Sequence, residues 1–366
     1  MQQAFVGRHL NLMTLFRPPI GTILALAVFA LILGGCTIKK PEGDWTLLKV
    51  ENATQAELMN EVNRFARVSS MRAKMDLRFE DNSFAQFGSK EVYRSADGEV
   101  VVQRPANILL KVQVPVVKTD VAQMTSDGKT FRVAILNCGG GSKCKKFVKG
   151  TNDADYSRLQ KSLESNDLAE QSLKNVSAFT NLRPQHFTDA LLVRPIDTTY
   201  SYVVTTIFQK EEDETQNQKS RLRKVMRGYY LLDEFAKTDD GGLKILRRFW
   251  FDRVGGIRLA RQQLFDAKGE IESDIIYGRE GALTAGGEYA NLPLRIQVTR
   301  PKDKYTMSLT YQSPESVTIG KNYPPAAFVL QNTWGLEEVD LDQKLAEMNA
   351  GKPAANSSVV AKPREE

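Results

Sequence analysis

The chain has 366 residues, with 50 Lys and Arg against 44 Asp and Glu, a formal net charge of +6, and two histidines. So mild a positive balance over this length points to a mixed-charge surface and excludes a strongly basic nucleic-acid binder. With only His9 and His186 available, a His-based catalytic triad or a Cys/His zinc site has almost nothing to build on.

The N-terminus carries Arg8 and Arg17, then a 14-residue uncharged run from Ile20 to Leu33. That run is shorter than the ~20 apolar residues a spanning helix needs and has the form of a secretory signal core. It ends in Leu33-Gly34-Gly35-Cys36, which resembles the bacterial lipobox. Residues 1–35 are therefore expected to leave as a lipoprotein signal peptide. Cys36 then becomes the acylated (palmitate-type) first residue, since two acyl chains at ~0.8 kcal/mol per buried CH2 hold a protein stably at a membrane. The mature chain carries 48 Lys and Arg against 44 Asp and Glu, and His186 is its one imidazole.

A polar tether covers 36–47. Thr54-Gln55-Ala56-Glu57 has capping-box spacing, and Leu58, Val62, Phe65 and Ala66 recur at helical period, which predicts a helix over 54–68. The period then switches to two. Met71, Ala73, Met75, Leu77 and Phe79 alternate with charged residues, as in a strand with one wet face. Further strands are expected over 92–95, 99–103, 107–114, 120–125, 129–136 and 143–149, with Asp127-Gly128 as a hairpin turn. Cys138 and Cys144 flank three glycines in a segment expected to form a hairpin tip. In an oxidising compartment they should form a disulfide, worth about 2–3 kcal/mol for so short a loop. A redox or metal pair lacks a third ligand or a Cys-x-x-Cys spacing.

Residues 150–198 read as a polar insertion with helical stretches over 156–164 and 184–193, in which His186 has a structural or surface role. Strands resume over 199–209, followed by an acidic run, Glu211 to Glu214, and a basic counterpart, Arg221 to Arg227. More strands are expected over 225–234, 243–253, 257–265, 270–277, 294–300 and 304–311, and a disordered tail over 346–366. The fold class is α+β, mainly β: an incomplete antiparallel barrel, or curled sheet, over 48–345, with helices lidding the concave face. Such a cavity suits a greasy ligand.

Gly98-Glu99-Val100-Val101-Val102-Gln103-Arg104-Pro105, followed by Ser126-Asp127-Gly128-Lys129, resembles the signature of the outer-membrane lipoprotein carrier and receptor proteins, the LolA/LolB-like family. Phe328 to Leu330 and Trp334 to Val339 resemble that family's closing strand. The resemblance implies a half-barrel that holds acyl chains. It also implies a lid-fixing role for Arg104, whose other reading is an ordinary strand arginine. Val116 and Val117, after Pro115, occupy the place of the receptor branch's protruding apolar loop, although strand-end packing explains them equally. The soluble carrier has no lipid anchor, and both relatives are shorter than this chain, chiefly through the absence of 150–198. Thr37 after Cys36 is not the inner-membrane retention residue of enteric bacteria, so outer-membrane placement facing the periplasm is expected.

The leading expectation is a non-enzymatic, membrane-anchored protein that binds or transfers acyl chains of lipoproteins or lipids. Met71, Met75, Leu77, Val100, Val102, Leu110 and Val112 are the cavity candidates, and methionine suits variable chains; a plain core is the alternative for all seven. The second expectation is a structural or adaptor lipoprotein with an envelope protein partner. No cofactor, metal or nucleic acid is implied. In the purified chain Cys138 and Cys144 should resist thiol alkylation until reduced, and labelling before reduction would count against the disulfide.

Overall fold

The computed structural model describes residues 45–81, 91–114, 119–137, 145–156, 158–159, 183–213, 216–284 and 289–350. The chain divides into two compact units: Met1–Thr46 with Glu212–Val225, and Leu47–Glu211 with Met226–Glu366. Within the smaller, Thr46 Oγ1 donates to the Arg221 carbonyl (3.0 Å), Lys224 Nζ lies 5.7 Å from the Trp45 ring centre, and Arg223 pairs with Glu212 at 2.8 Å. The acidic run thus meets its basic counterpart through Glu212.

The larger unit is built on strands, which are joined by turns. After β1 (Thr46–Leu47) comes helix α1 (Gln55–Ala66), then β2 (Ser70–Asp81), β3 (Glu91–Gln103), β4 (Asn107–Gln113), β5 (Asp120–Asp127), β6 (Thr130–Ile135) and β7 (Lys146–Thr151). Helix α2 (Pro184–Leu191) precedes β8 (Ser201–Glu212), β9 (Lys224–Lys237), β10 (Leu243–Asp252), β11 (Arg258–Phe265), β12 (Ile271–Leu283), β13 (Tyr289–Arg300) and β14 (Tyr305–Tyr311). The short β15 (Thr318–Ile319), β16 (Glu337–Asp340) and helix α3 (Leu341–Ala350) finish it. One curled sheet runs β9-β10-β11-β12-β13-β14-β2-β3-β4-β5-β6-β7-β16, with β8 pairing β9 and β15 pairing β2. Its two ends do not pair among the described residues, so it is an unclosed barrel.

Local chemistry accounts for the elements. Thr54 and Glu57 form the reciprocal capping box, with Thr54 N–H donating to Glu57 Oε2 at 2.7 Å. At the Asp127-Gly128 turn, Asp127 Oδ1 accepts from the backbone N–H of Lys129 and Thr130, and Gly128 takes φ 89°. Residues 92–95 and 99–103, expected as two strands, lie in one, β3, and within it Gly98 has no Cβ, which would meet Leu77 Cδ1 at 2.6 Å. The glycine makes room for Leu77. Phe328 lies in a 3-10 turn, not a strand, since Pro324 and Pro325 supply no N–H to a ladder. The closing strand is β16, parallel to β7, with Lys146 paired to Glu337 and Lys149 lying 3.5 Å from Asp340. Helix α3 runs to Ala350, five residues into the segment read as tail.

One face of the sheet is buried along its length. Across β9, β10, β11 and β12 it presents Leu232, Phe249, Leu264 and Ile275, and across β14, β2, β3 and β4 it presents Met307, Met75, Val100 and Leu110. Helix α1 covers it with Leu58, Val62 and Phe65, the Phe65 ring lying 5.5 Å from that of Tyr277. Truncating Phe249, which is fully buried, should cost about 3–5 kcal/mol in urea unfolding, whereas Thr54→Ala should cost about 1 kcal/mol through the cap alone.

Candidate functional site

The inner face differs between its two arms. On β2 to β7 it is lined by Met71, Ala73, Met75, Val100, Val102, Ile108, Leu110, Met124 and Val133, all buried, with Leu77 and Val112 half-buried beside them. All seven cavity candidates thus lie together on this face. They belong to or pack against one core cluster, with Met75, Val100, Val102 and Leu110 fully buried. Across β9 to β14 a polar row interrupts the apolar lining. Glu234 pairs in register with Arg247, Arg247 with Leu264, and Leu264 with Ser273. Arg300 donates to Ser273 Oγ at 3.0 Å and pairs in register with Tyr305.

Helix α2 bridges the arms, packing on β4 and β5 on one side and on β13 on the other. Its apolar side, Phe187, Ala190 and Leu191, joins the core with Leu192 and Val193 just after it. Its polar side meets the polar row. His186 Nδ1 hydrogen-bonds the Tyr305 hydroxyl, and Tyr277 donates to the Ala190 carbonyl at 3.3 Å. Burial pushes the hydroxyls of Tyr277 and Tyr305 well above their ordinary range, so both stay protonated.

The segment after α2, residues 193–197, is strapped down group by group. Arg104 donates through Nη2 to the Val193 carbonyl (2.7 Å) and through Nε to the Val68 carbonyl (3.0 Å). Arg247 donates through Nη1 to the Arg194 carbonyl (2.9 Å) and through Nη2 to the Pro195 carbonyl (3.1 Å). The Ile196 N–H donates to Asn63 Oδ1 at 3.0 Å, and the Asp197 N–H to the Tyr202 hydroxyl at 3.1 Å. Arg247 is itself held by Glu234, with Nε to Oε1 at 2.7 Å and a second contact through Nη2, both side chains being 2 % exposed. Tyr202 donates to Glu234 Oε2 at 2.7 Å, and burial together with that carboxylate pushes its hydroxyl up to about 12.

Arg247, Glu234, Tyr202 and Asn63 are absent from the sequence expectations. A signal exists in hindsight: Arg247 shares the apolar phase of Phe249 and Phe251, and Glu234 that of Tyr230 and Leu232. Opposite charges on the apolar phase of neighbouring strands mark an inward pair. Asp252 is buried and pairs with Arg227 at 2.6 Å and Arg258 at 3.1 Å, and the half-buried Asp274 pairs with Arg261. Cys36, Cys138, Cys144, Val116 and Val117 lie outside the described residues. Among the described residues no cluster of three His, Cys, Asp or Glu side chains could hold a metal, and no helix is long and apolar enough to cross a membrane.

These features define a class: a curled, unclosed antiparallel sheet with a mostly apolar inner face, covered by helices of its own chain. No family model matches the chain, and no curated protein matches it. Among solved structures it is similar to a LolA superfamily protein from Nitrosomonas europaea, at 10% identity and TM-score 0.39, covering 76% of this chain and 99% of that one. A putative outer membrane lipoprotein-sorting protein domain from Vibrio parahaemolyticus gives 10% and 0.36, covering 74% and 94%. A DUF1329 family protein from Desulfovibrio piger gives 10% and 0.35, covering 75% and 95%.

The two titratable groups of α2 oppose one another in acid. Burial, then Arg300 and Arg183, hold the His186 imidazole well below 6.5, so the unfolded chain binds its proton first and stability drops as pH falls through about 6.5. Burial raises the Asp189 carboxyl from 3.8 to about 6 against the pull of Arg194 and Arg300. The folded chain takes up that proton first, so stability is gained as pH falls from about 6 towards 3.8. Asp189→Asn removes the gain, and its urea midpoint should fall more steeply than that of the native chain between about pH 6 and about pH 4. Equal slopes would refute this assignment.

Proposed function

We propose that the chain is a non-enzymatic lipoprotein, anchored through Cys36 at the outer membrane and facing the periplasm. In this reading it binds the acyl chains of lipoproteins or lipids against its inner face and releases them at the membrane that holds it. The observation that carries the proposal is the fastening of the cover. Helix α2 and the strap lie over a methionine-bearing apolar face, and side-chain hydrogen bonds from both arms tie them there. The guanidinium bonds contribute about 1.5–3 kcal/mol net each and the His186–Tyr305 bond about 0.5–1.5 kcal/mol, so a ligand able to refill both the apolar contacts and the donors of Arg247 can displace the cover. Met71, Met75, Leu77, Val100, Val102, Leu110 and Val112 would line the acyl chains, with Arg104 as one fastening of the cover. Val116 and Val117 would be the apolar loop towards the membrane.

A second reading, a structural or adaptor lipoprotein with an envelope protein partner, draws support from the filled inner face, where Met75, Val100, Val102 and Leu110 are fully buried.

Native mass spectrometry of the full chain from an envelope fraction separates the two. The acyl-binding reading expects an acylated Cys36, loss of residues 1–35, and copurified or captured phospholipid or acylated peptide. A consistently empty protein that captures no added acyl ligand would leave the adaptor reading standing.

A further inference from the structure

We infer that the inner face recognises the linkage at the head of an acyl chain, an amide or ester carbonyl, through Arg247, with Gln262 accepting the amide N–H. The inference rests on the acyl-binding reading and narrows its ligand.

Arg247 lies on the polar row, and its two outward donors, Nη1 and Nη2, are taken up by neutral carbonyl oxygens of the strap, those of Arg194 and Pro195. Its charge is already matched by Glu234. A displaced strap therefore leaves two N–H donors on a guanidinium that has no need of an anion. Leaving them bare in an apolar face is costly, and the ligand group that replaces the strap like for like is another carbonyl. An acyl chain carries one at its head.

Gln262 supplies a second, independent observation. It is 1 % exposed on the inner face, in register with Phe249 on β10 and Ile275 on β12. Its Oε1 has no hydrogen-bond partner among the described residues. Buried amide oxygens are almost always satisfied, so this acceptor calls for a donor from outside the fold. Because Arg247 pairs with Leu264, two residues along β11 from Gln262, the two are diagonal neighbours, about 7–8 Å apart in such pairs. Side chains of this length at that separation are long enough to meet on one polar group set between them. An N-acyl amide offers the carbonyl to Arg247 and the N–H to Gln262, an ester offers the carbonyl alone, and an ether offers neither.

The test uses the full chain and three probes of one chain length: N-methyl dodecanamide, methyl dodecanoate and dodecyl methyl ether. Native mass spectrometry should rank amide over ester by about fivefold, the scale of one net neutral hydrogen bond, and ester over ether by about tenfold or more, the scale of a bond from a charged donor. Gln262→Leu should abolish the amide-over-ester step. The double change Arg247→Met with Glu234→Met, which leaves no orphaned buried charge, should abolish the ester-over-ether step. Circular dichroism checks that both variants keep the native strand content. If neither folds, the native chain still decides through hydrogen exchange. The amide probe should speed exchange of the Ile196 and Asp197 amides, freed from Asn63 and Tyr202, more than the ether does. Equal binding of all three probes by the native chain would overturn the inference and leave the acyl-binding reading intact. Binding of none would overturn both, and a ranking unchanged in the two folded variants would overturn the roles of Arg247 and Gln262.

Discussion

A sheet with one apolar face must cover that face, and the rest of this structure follows from how the chain does so. Strands β2 to β7 and β9 to β14 turn the same phase of their alternation inward, from Met71 and Val100 on one arm to Phe249 and Ile275 on the other. No second sheet packs on it among the described residues. Cover comes chiefly from α1 near the start of the chain and α2 from the middle, with α3 packing on β7 through Leu341. The contacts of α1 and α2 differ in kind. Helix α1 is capped at its first turn and buries Leu58, Val62 and Phe65. Helix α2 has no side-chain cap, and it and the strap after it are held by side chains that reach out from the sheet.

Those side chains come from both arms. Arg104 stands just beyond β3 and Arg247 on β10, and the two hold three successive carbonyls, of Val193, Arg194 and Pro195. Spreading the fastening over distant strands makes the position of the strap depend on the curl of the sheet, so the cover and the curl are one mechanical unit. The buried Arg247–Glu234 pair belongs to this arrangement. Such a pair is weak evidence for stability, because removing two charges from water offsets most of their attraction. Its value lies in direction: Glu234 takes one side of the guanidinium and thereby points the other at the strap.

Much of this was legible in the sequence, and the rest was hidden for physical reasons. Alternation of period two in Met71 to Phe79 and the Asp127-Gly128 turn placed strands and hairpins, because both are local. The Thr54 capping box is local too. The expected split of β3 between residues 95 and 99 failed because the polar Asp97 and the glycine at 98 carry no strand signal, and only the packing of Leu77 across the ladder shows why Gly98 is there. Of the two stretches expected as the closing strand, Trp334 to Val339 overlaps β16, whereas Phe328 lies in a 3-10 turn after Pro324 and Pro325. The seven apolar candidates share one face, as alternation requires, but whether they form a core or a cavity depends on what covers them, which no periodicity encodes. Arg247 and Glu234 were missed because each is an ordinary charge within its own strand. Only the register that sets them side by side reveals an inward pair.

Magnitudes decide whether a cover of this kind can exchange with an acyl chain. Lifting α2 exposes Phe187, Leu191 and Leu192, which at about 1.5–3 kcal/mol each amount to roughly 5–9 kcal/mol of apolar burial. The hydrogen bonds to the strap add a comparable amount, because three come from guanidinium donors at about 1.5–3 kcal/mol each and those of Arg247 stay bare unless the ligand refills them. A methylene entering the same face returns ~0.8 kcal/mol, so about ten of them match the apolar loss. One long acyl chain therefore sits near balance with α2, and its head group decides the sign. Near balance is what the proposed uptake and release of a ligand would require, since a face left open would bind without letting go and one closed by apolar packing alone would not open. Under the proposed function a tether at Cys36 would sharpen this, because a chain held at one membrane would meet donor and acceptor in the same place and need only a small difference in free energy to pass a ligand on.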